Sequence, residues 1–237
     1  MKDNVFRFKG FDVVQEEGVH KVGTDGVLLG AWFQRHDEHH ILDIGTGTGV
    51  IALMAAQRTS AAVTAIDTDP NVVNLARKNF SRSPWAERLH IHQSRLQDFR
   101  PVRKFNHILS NPPFFTDSLL PADRARLRQR HAEELTFGEI LEAIPLLLAP
   151  EGWFSLILPV IEGTRFMELS NARPGLGLTR WCRVHPRQGK PAHRLLLEYR
   201  LGLGAPAPAP ETLFITDYEG LFTPAYRDLG KDFYLDF

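Results

Sequence analysis

Asn111-Pro112-Pro113-Phe114 combines an amide side chain, two prolines and an aromatic ring directly after the apolar run His107-Ile108-Leu109-Ser110. Neither proline has a backbone N–H and both hold the chain extended, so a strand must stop there. What remains is a rigid ledge with free carbonyls, an amide oxygen and a ring face. Such a ledge suits a planar group that carries an NH2. The Asn111 side-chain oxygen and the Pro112 carbonyl accept its two N–H bonds, and Phe114 stacks on its plane. Held in this way, the nitrogen is drawn toward tetrahedral geometry and its lone pair is freed for in-line attack. A surface turn with an asparagine cap is the plainer reading of the same residues.

A second constellation lies upstream, in Asp43-Ile44-Gly45-Thr46-Gly47-Thr48-Gly49. A glycine turn after a strand lets backbone N–H groups at a helix N-terminus face a polar ligand. Asp67 follows about 20 residues on, where an acid accepts hydrogen bonds from ribose hydroxyls. The spacing is not that of the dinucleotide fingerprint, because Val50 stands where its third glycine falls. Asp43, just before the turn, would repel a pyrophosphate and suits an amino group, such as the α-amino end of S-adenosylmethionine. Their plainer readings are a turn cap for Asp43 and a strand-end acid for Asp67. Asp69 before Pro70 reads as a helix cap.

The elements that must position these residues follow from periodicity. Strands are expected at residues 39–45, 62–67, 89–93, 105–110 and 152–159, with a closing pair at 178–185 and 193–201. Helices are expected at residues 50–57, 70–81, 133–148 and 161–172. Strands alternating with helices imply an α/β fold with a doubly wound, mostly parallel seven-stranded sheet, ending in an antiparallel hairpin. The linker-like stretch Gly202–Pro210 separates a main domain, residues 1–203, from an aromatic tail, residues 204–237, expected to pack on the same domain.

An apolar fraction of 43% and a charged fraction of 24% are those of an ordinary globular protein. The N-terminal residues lack the apolar core of a signal peptide, and no stretch is long and apolar enough to span a bilayer. The single cysteine, Cys182, allows no internal disulfide and fits a reducing cytoplasm. His36, His39 and His40 lack thiolate partners and ligand-like spacing, so no metal is expected. No pattern favours a monomer over a weak dimer. A formal net charge of zero carries no global signature of a nucleic-acid binder. Two local runs are basic. Arg124, Arg126, Arg128 and Arg130 alternate after the ledge and could track phosphates, and seven basic residues from Arg173 to Arg200 face only Glu198. Each could equally be a solvated charged face. His131 lines a pocket or simply packs.

These residues resemble the class I S-adenosylmethionine-dependent methyltransferases. Leu42 to Gly49 is similar to that Rossmann-like fold's first motif, and Ala65-Ile66-Asp67 to its second. The segment that contacts the cofactor adenine follows the third strand, here Gln93 to Asp98. Many relatives carry an acid where Ser94 and Arg95 stand, which leaves Ser94 or Asp98 for that contact. The Asn-Pro-Pro-Phe motif is shared by enzymes that methylate adenine N6, guanine N2 in rRNA and the N5 amide of protein glutamine. Gly18 to Trp32 and Thr223 to Leu235 resemble segments of the bacterial tRNA(Val) N6-adenine methyltransferases, and the likeness covers nearly the whole chain. In that family the first segment packs across the cofactor, which implies a place near the ligand for Lys21, Thr24 and Asp25. A second aromatic, Phe115, extends the ledge. The long N-terminal helical domain typical of the glutamine methyltransferases is missing from the sequence. The resemblance implies methyl transfer to an adenosine of tRNA, accessible in an anticodon loop without opening a duplex. A cofactor-binding RNA scaffold without turnover is the other class of function open to this sequence.

Overall fold

Strands that are apolar at nearly every position need cover on both faces, and helices supply it here. The computed structural model describes residues 4–19, 21–36, 39–112, 136–173, 175–202 and 208–237. Pro113, Phe114, Phe115, Arg124, Arg126, Arg128, Arg130 and His131 lie outside the described residues. The chain opens with a hairpin, β1 (Asn4–Arg7) and β2 (Asp12–Gln15), then helix α1 (Thr24–Trp32). There follow β3 (His40–Ile44), α2 (Val50–Arg58), β4 (Ala62–Asp67), α3 (Pro70–Ser81), β5 (Leu89–Gln93) and β6 (Phe105–Ser110). The second half holds α4 (Phe137–Leu147), β7 (Leu148–Pro159), α5 (Val160–Asn171), β8 (Leu176–Arg187), β9 (Arg194–Leu201), β10 (Glu211–Thr216) and α6 (Pro224–Gly230).

The main sheet has the order β10-β8-β9-β7-β6-β3-β4-β5. Every neighbouring pair is parallel except those made by β9, which runs against both β7 and β8. Beyond β3 the chain winds outward through β4 and β5, and β6 lies on the other side of β3. The carboxyl ends of β3 and β6 therefore flank the topological switch point, where an open α/β sheet leaves its ligand crevice. One buried cluster joins the sheet to α1, α2 and α3. A second, including Ile140, Ile144, Phe154, Phe166 and Tyr199, joins it to α4 and α5.

Local chemistry explains the helix starts. The Asp69 carboxylate accepts the Asn71 backbone N–H at 2.8 Å, with Pro70 at the first helical position of α3. Thr136 and Glu139 form a reciprocal capping box, so α4 begins at Phe137; residues 133–135 of the expected helix lie outside the described residues. In α1, a Cβ on Gly26 would lie 3.2 Å from Val50 Cγ1, and one on Gly30 would lie 2.6 Å from Met54 Sδ. Two small residues one turn apart thus let α1 lie directly on α2. The matching order of the contacts makes the helices parallel, with their N-termini side by side.

The seven anticipated strands are all present, and the tail adds an eighth. β10 pairs parallel to β8 with Leu213 buried. Arg180 explains why the tail docks: it donates to both oxygens of Glu211 at 2.7 and 3.0 Å and lies 4.0 Å over the Trp32 ring. The basic run from Arg173 to Arg200 is not one solvated surface. Arg173 pairs with Glu142, Arg180 with Glu211, Arg194 with Asp25 and Arg200 with Glu151. Those acids lie far away in sequence, so local composition overstated the free positive charge.

Candidate active site

The glycine turn joins β3 to α2 and crosses the end of β4. Gly45 and Thr46 donate their backbone N–H groups to Ile66 O at 2.9 and 3.2 Å. Gly45, Gly47 and Gly49 have φ of 70°, 56° and 84°, in the left-handed region that favours glycine. A Cβ on Gly45 or Gly47 would meet nothing within 4 Å, so these two residues border open space. Gly49 is different: its Cβ would lie 2.5 Å from Phe80 Cε1, so close packing against α3 also requires the glycine. Asn79 braces the turn from below. It is fully buried, exchanges two hydrogen bonds with the Val14 backbone, and donates a third to Thr48 O at 2.8 Å.

Asp43 is wholly buried at the end of β3. Its Oδ2 accepts the Thr46 hydroxyl at 2.6 Å, while Oδ1 has no hydrogen-bond partner among the described residues. Burial pushes its carboxyl from 3.8 up to about 7. The Thr46 hydroxyl and the Ala52 backbone N–H pull it partly back, and the Asp67 charge adds to the rise. Asp67, at the end of β4, first serves the loop: Oδ2 accepts Gly47 N–H at 3.1 Å and Oδ1 accepts Asp69 N–H at 3.2 Å. Each oxygen keeps lone-pair capacity for another donor. Ser94 sits beside it, donating its backbone N–H to Asp67 O at 3.0 Å. Its hydroxyl is turned back on the Arg95 carbonyl. Asp98 lies 4.0 Å from Arg95 on the exposed side of the same turn.

Across the switch point, Ile44 pairs with Ser110, so Asn111 emerges beside Gly45. The Ser110 hydroxyl donates to Ile44 O at 3.0 Å and locks the two strand ends together. Pro112 is buried. The Asn111 Oδ1 is also buried and has no hydrogen-bond partner among the described residues. Two buried oxygens without a geometric hydrogen-bond partner among the described residues, at the ends of the neighbouring strands β3 and β6, are expensive to leave without a donor. They suit a ligand pair that brings N–H groups to both.

The parallel α1–α2 packing places Thr24 and Asp25 at a helix N-terminus beside the glycine turn. Lys21 and Thr24 are exposed. Asp25 is held by Arg194, whose Nε donates to Oδ2 at 2.7 Å. Because β9 pairs Arg194 with Pro159, this ion pair stands on the same sheet edge as Asn111. Arg194 was not foreseen, since its partner lies 169 residues away. Asn79 left a signal, being a polar residue on the stripe of Leu75, Ala76 and Phe80. A cleft of about 490 Å3 opens elsewhere, lined by His40, Thr64, His92, Phe99 and Arg103, and reaches the site only at Ser94 and Asp98. The other anticipated site residues that are described do not line that cleft. Among the described residues no group of three or more metal-ligating side chains occurs, and no helix is long and apolar enough to cross a membrane.

Comparison with known proteins gives the family and the fold. Residues 12–130 match the methyltransferase small domain family. The chain is 39% identical to the tRNA1(Val) (adenine(37)-N6)-methyltransferase of Vibrio vulnificus, over 99% of this chain and 97% of that protein. It is 40% identical to the protein of the same name from Dyadobacter fermentans, over 98% of each. A predicted O-methyltransferase of Agrobacterium tumefaciens shares the fold, with a TM-score of 0.69 at 20% identity, covering 88% of this chain and 96% of that one. The fold and site define a class I, Rossmann-like methyltransferase, a class that draws its methyl group from S-adenosylmethionine. Within that class, the chain belongs to the tRNA1(Val) (adenine(37)-N6)-methyltransferase family.

Proposed function

We propose that the protein transfers a methyl group to the exocyclic N6 of an adenosine in tRNA, the target being adenosine 37 of tRNA(Val). The observation that carries this reading is the buried Asn111 Oδ1, an acceptor without a donor among the described residues, beside the glycine turn. An unmatched buried acceptor costs about 1–3 kcal/mol, which an incoming amino group relieves. The Asn111 oxygen and the Pro112 carbonyl take the two N–H bonds of that amine and turn its lone pair into the crevice. Phe114 and Phe115 provide ring faces for the base, and Arg124, Arg126 and Arg128 hold phosphates near it.

S-adenosylmethionine, when bound, supplies an electrophilic methyl group. Asp43 presents its orphaned oxygen to the cofactor's ammonium end, Asp67 accepts ribose hydroxyls, and the Gly45–Gly47 backbone approaches closely because no Cβ intervenes. Ser94 borders the adenine, and Lys21, just before α1, and Thr24 and Asp25, in its first turn, cover the cofactor. The chain contributes orientation and desolvation rather than strong base catalysis. The amine nitrogen would bond to the methyl carbon as that carbon's bond to the cofactor sulfur breaks, S-adenosylhomocysteine leaving, and would lose its proton to water afterwards. With tRNA as acceptor, the reaction belongs in the cytoplasm.

Transfer of labelled methyl to tRNA and to bulk protein, followed by nuclease digestion, tests this reading. Label should appear in N6-methyladenosine. Asn111→Ala should lower kcat at least about a hundredfold, as loss of one preorganised polar contact does, with S-adenosylhomocysteine affinity preserved. Label in protein, wild-type turnover by Asn111→Ala, or cofactor and tRNA binding without any transfer would each overturn it.

A further inference from the structure

The outer part of the sheet carries a row of cations and rings that the chemistry at Asn111 does not use. Cys182 and Val184 of β8 point into the core. The alternation of a strand therefore puts Trp181, Arg183, His185 and Arg187 on the opposite face. β10 extends that face, because its parallel register sets Phe214 across from His185. The two rings lie 4.7 Å apart, and the Arg183 guanidinium lies 5.0 Å from the Trp181 centroid. Arg183 and Arg187 are exposed, whereas Trp181, His185 and Phe214 are half-buried.

Among the described residues, the cations of this face have no carboxylate partner. Arg173, Arg180, Arg194 and Arg200 of the same segment are spent on ion pairs. Arg183, Arg187 and Lys190 have no carboxylate partner among the described residues. Arg187 donates through Nε to the Asp217 carbonyl, a neutral acceptor that fixes the side chain without cancelling its charge. The Asp217 Oδ1 is occupied by the backbone N–H groups of Glu219 and Leu221.

Direction links this row to the site. β8 runs parallel to β10 and antiparallel to β9, which runs antiparallel to β7. The Arg187 end therefore lies on the same sheet edge as Asn111. Three strand spacings separate β8 from β6, about 14 Å at roughly 4.8 Å each. A polyanion entering the crevice at Asn111 would pass this edge. Cations alternating with half-exposed rings on a sheet face match unpaired RNA, whose phosphates meet guanidinium groups while its bases stack on rings.

We propose that the outer face of β8 and β10 is a docking surface for unpaired nucleotides of the same RNA whose adenosine is methylated, an inference that rests on the tRNA reading above. The face grips backbone and bases beside the target and sets the angle at which the RNA reaches the crevice. Its cations act on affinity and have no part in the methyl transfer itself.

The test compares wild type, Arg183→Ala/Arg187→Ala and Arg183→Lys/Arg187→Lys for binding to unmodified tRNA(Val) over a range of salt. Urea midpoints and S-adenosylhomocysteine affinity serve as controls for folding and for the crevice. Losing two single-strand phosphate contacts should flatten the slope of log K against log salt by about 1.4, equivalent to about 25-fold weaker binding at 0.1 M salt. KM for tRNA should rise with it. The lysine variant, which keeps the charge, should recover the slope. An alanine variant with wild-type slope and KM would overturn the proposal, and so would an equal loss of affinity for polyglutamate, which has no bases to stack. Wild-type protein that binds tRNA without methylating it would refute the function above and leave this binding comparison decisive for the face.

Discussion

Asp43→Asn separates what the acid does for the ligand from what it does to the fold. The site carboxyl is raised from 3.8 to about 7, chiefly by burial. Below about pH 4 it is protonated in both the folded and unfolded chain. Between pH 4 and 7 the unfolded chain releases the proton while the folded chain keeps it, so stability falls as pH rises. The loss is complete above about pH 7. At about 1.4 kcal/mol per pH unit, the displacement is worth on the order of 4 kcal/mol, an upper bound because buried sites relax. Asparagine keeps an oxygen for the Thr46 hydroxyl and carries no charge at any pH. Urea unfolding at pH 5, 6, 7 and 8 should show a flatter stability profile for Asp43→Asn and greater stability than wild type at pH 8. Calorimetry with S-adenosylhomocysteine should show the reverse for binding. Wild-type affinity should increase as pH rises through 7, and the variant should be weaker by about 10- to 100-fold at pH 8, the worth of one hydrogen bond to a charged group. Parallel stability profiles, or equal affinity at pH 8, would refute the claim that this buried acid is kept for a cationic ligand at the expense of the fold.

Asp67→Ala should raise the cofactor dissociation constant at least about tenfold, since it removes both a ribose acceptor and the tie to Gly47. Turnover at saturating cofactor should change less, and an unchanged dissociation constant by calorimetry would remove Asp67 from the site. Gly49→Ala should destabilise the fold by about 2–4 kcal/mol, combining left-handed backbone strain with overlap on the Phe80 ring 2.5 Å away. A wild-type urea midpoint would show that the turn has room that the packing denies.

Much of the fold was legible because its signals are local. The apolar runs at residues 40–44, 62–67 and 105–110 are strands within a residue of expectation, and Asp69-Pro70 caps α3 as its chemistry requires. The helix over residues 24–32 was harder to see. It is apolar around most of its circumference, and its two glycines read as breakers until Val50 and Met54 are seen pressing on them. β10 was hidden for a related reason. Its place depends on Arg180 and Trp32, residues contributed from two other elements.

The same division runs through the site. Glycines that need positive φ, an acid before them, an acid at the next strand end and an Asn-Pro-Pro stop are short-range features. Backbone sterics and hydrogen-bonding capacity dictate them wherever they occur, and from them the sequence alone determined a mostly parallel α/β sheet and a crevice suited to an amino group. Charge was another matter. Seven basic residues between Arg173 and Arg200 look alike in one dimension, but four of them are neutralised by Asp25, Glu142, Glu151 and Glu211. Coulomb pairing depends on distance in space, which a linear count does not contain. Only the tertiary structure decided which of those cations have a carboxylate partner among the described residues, that Asp43 and Asn111 stand at the ends of neighbouring strands, each with a buried oxygen lacking a described partner, and that Arg187 lies at the same end of the sheet.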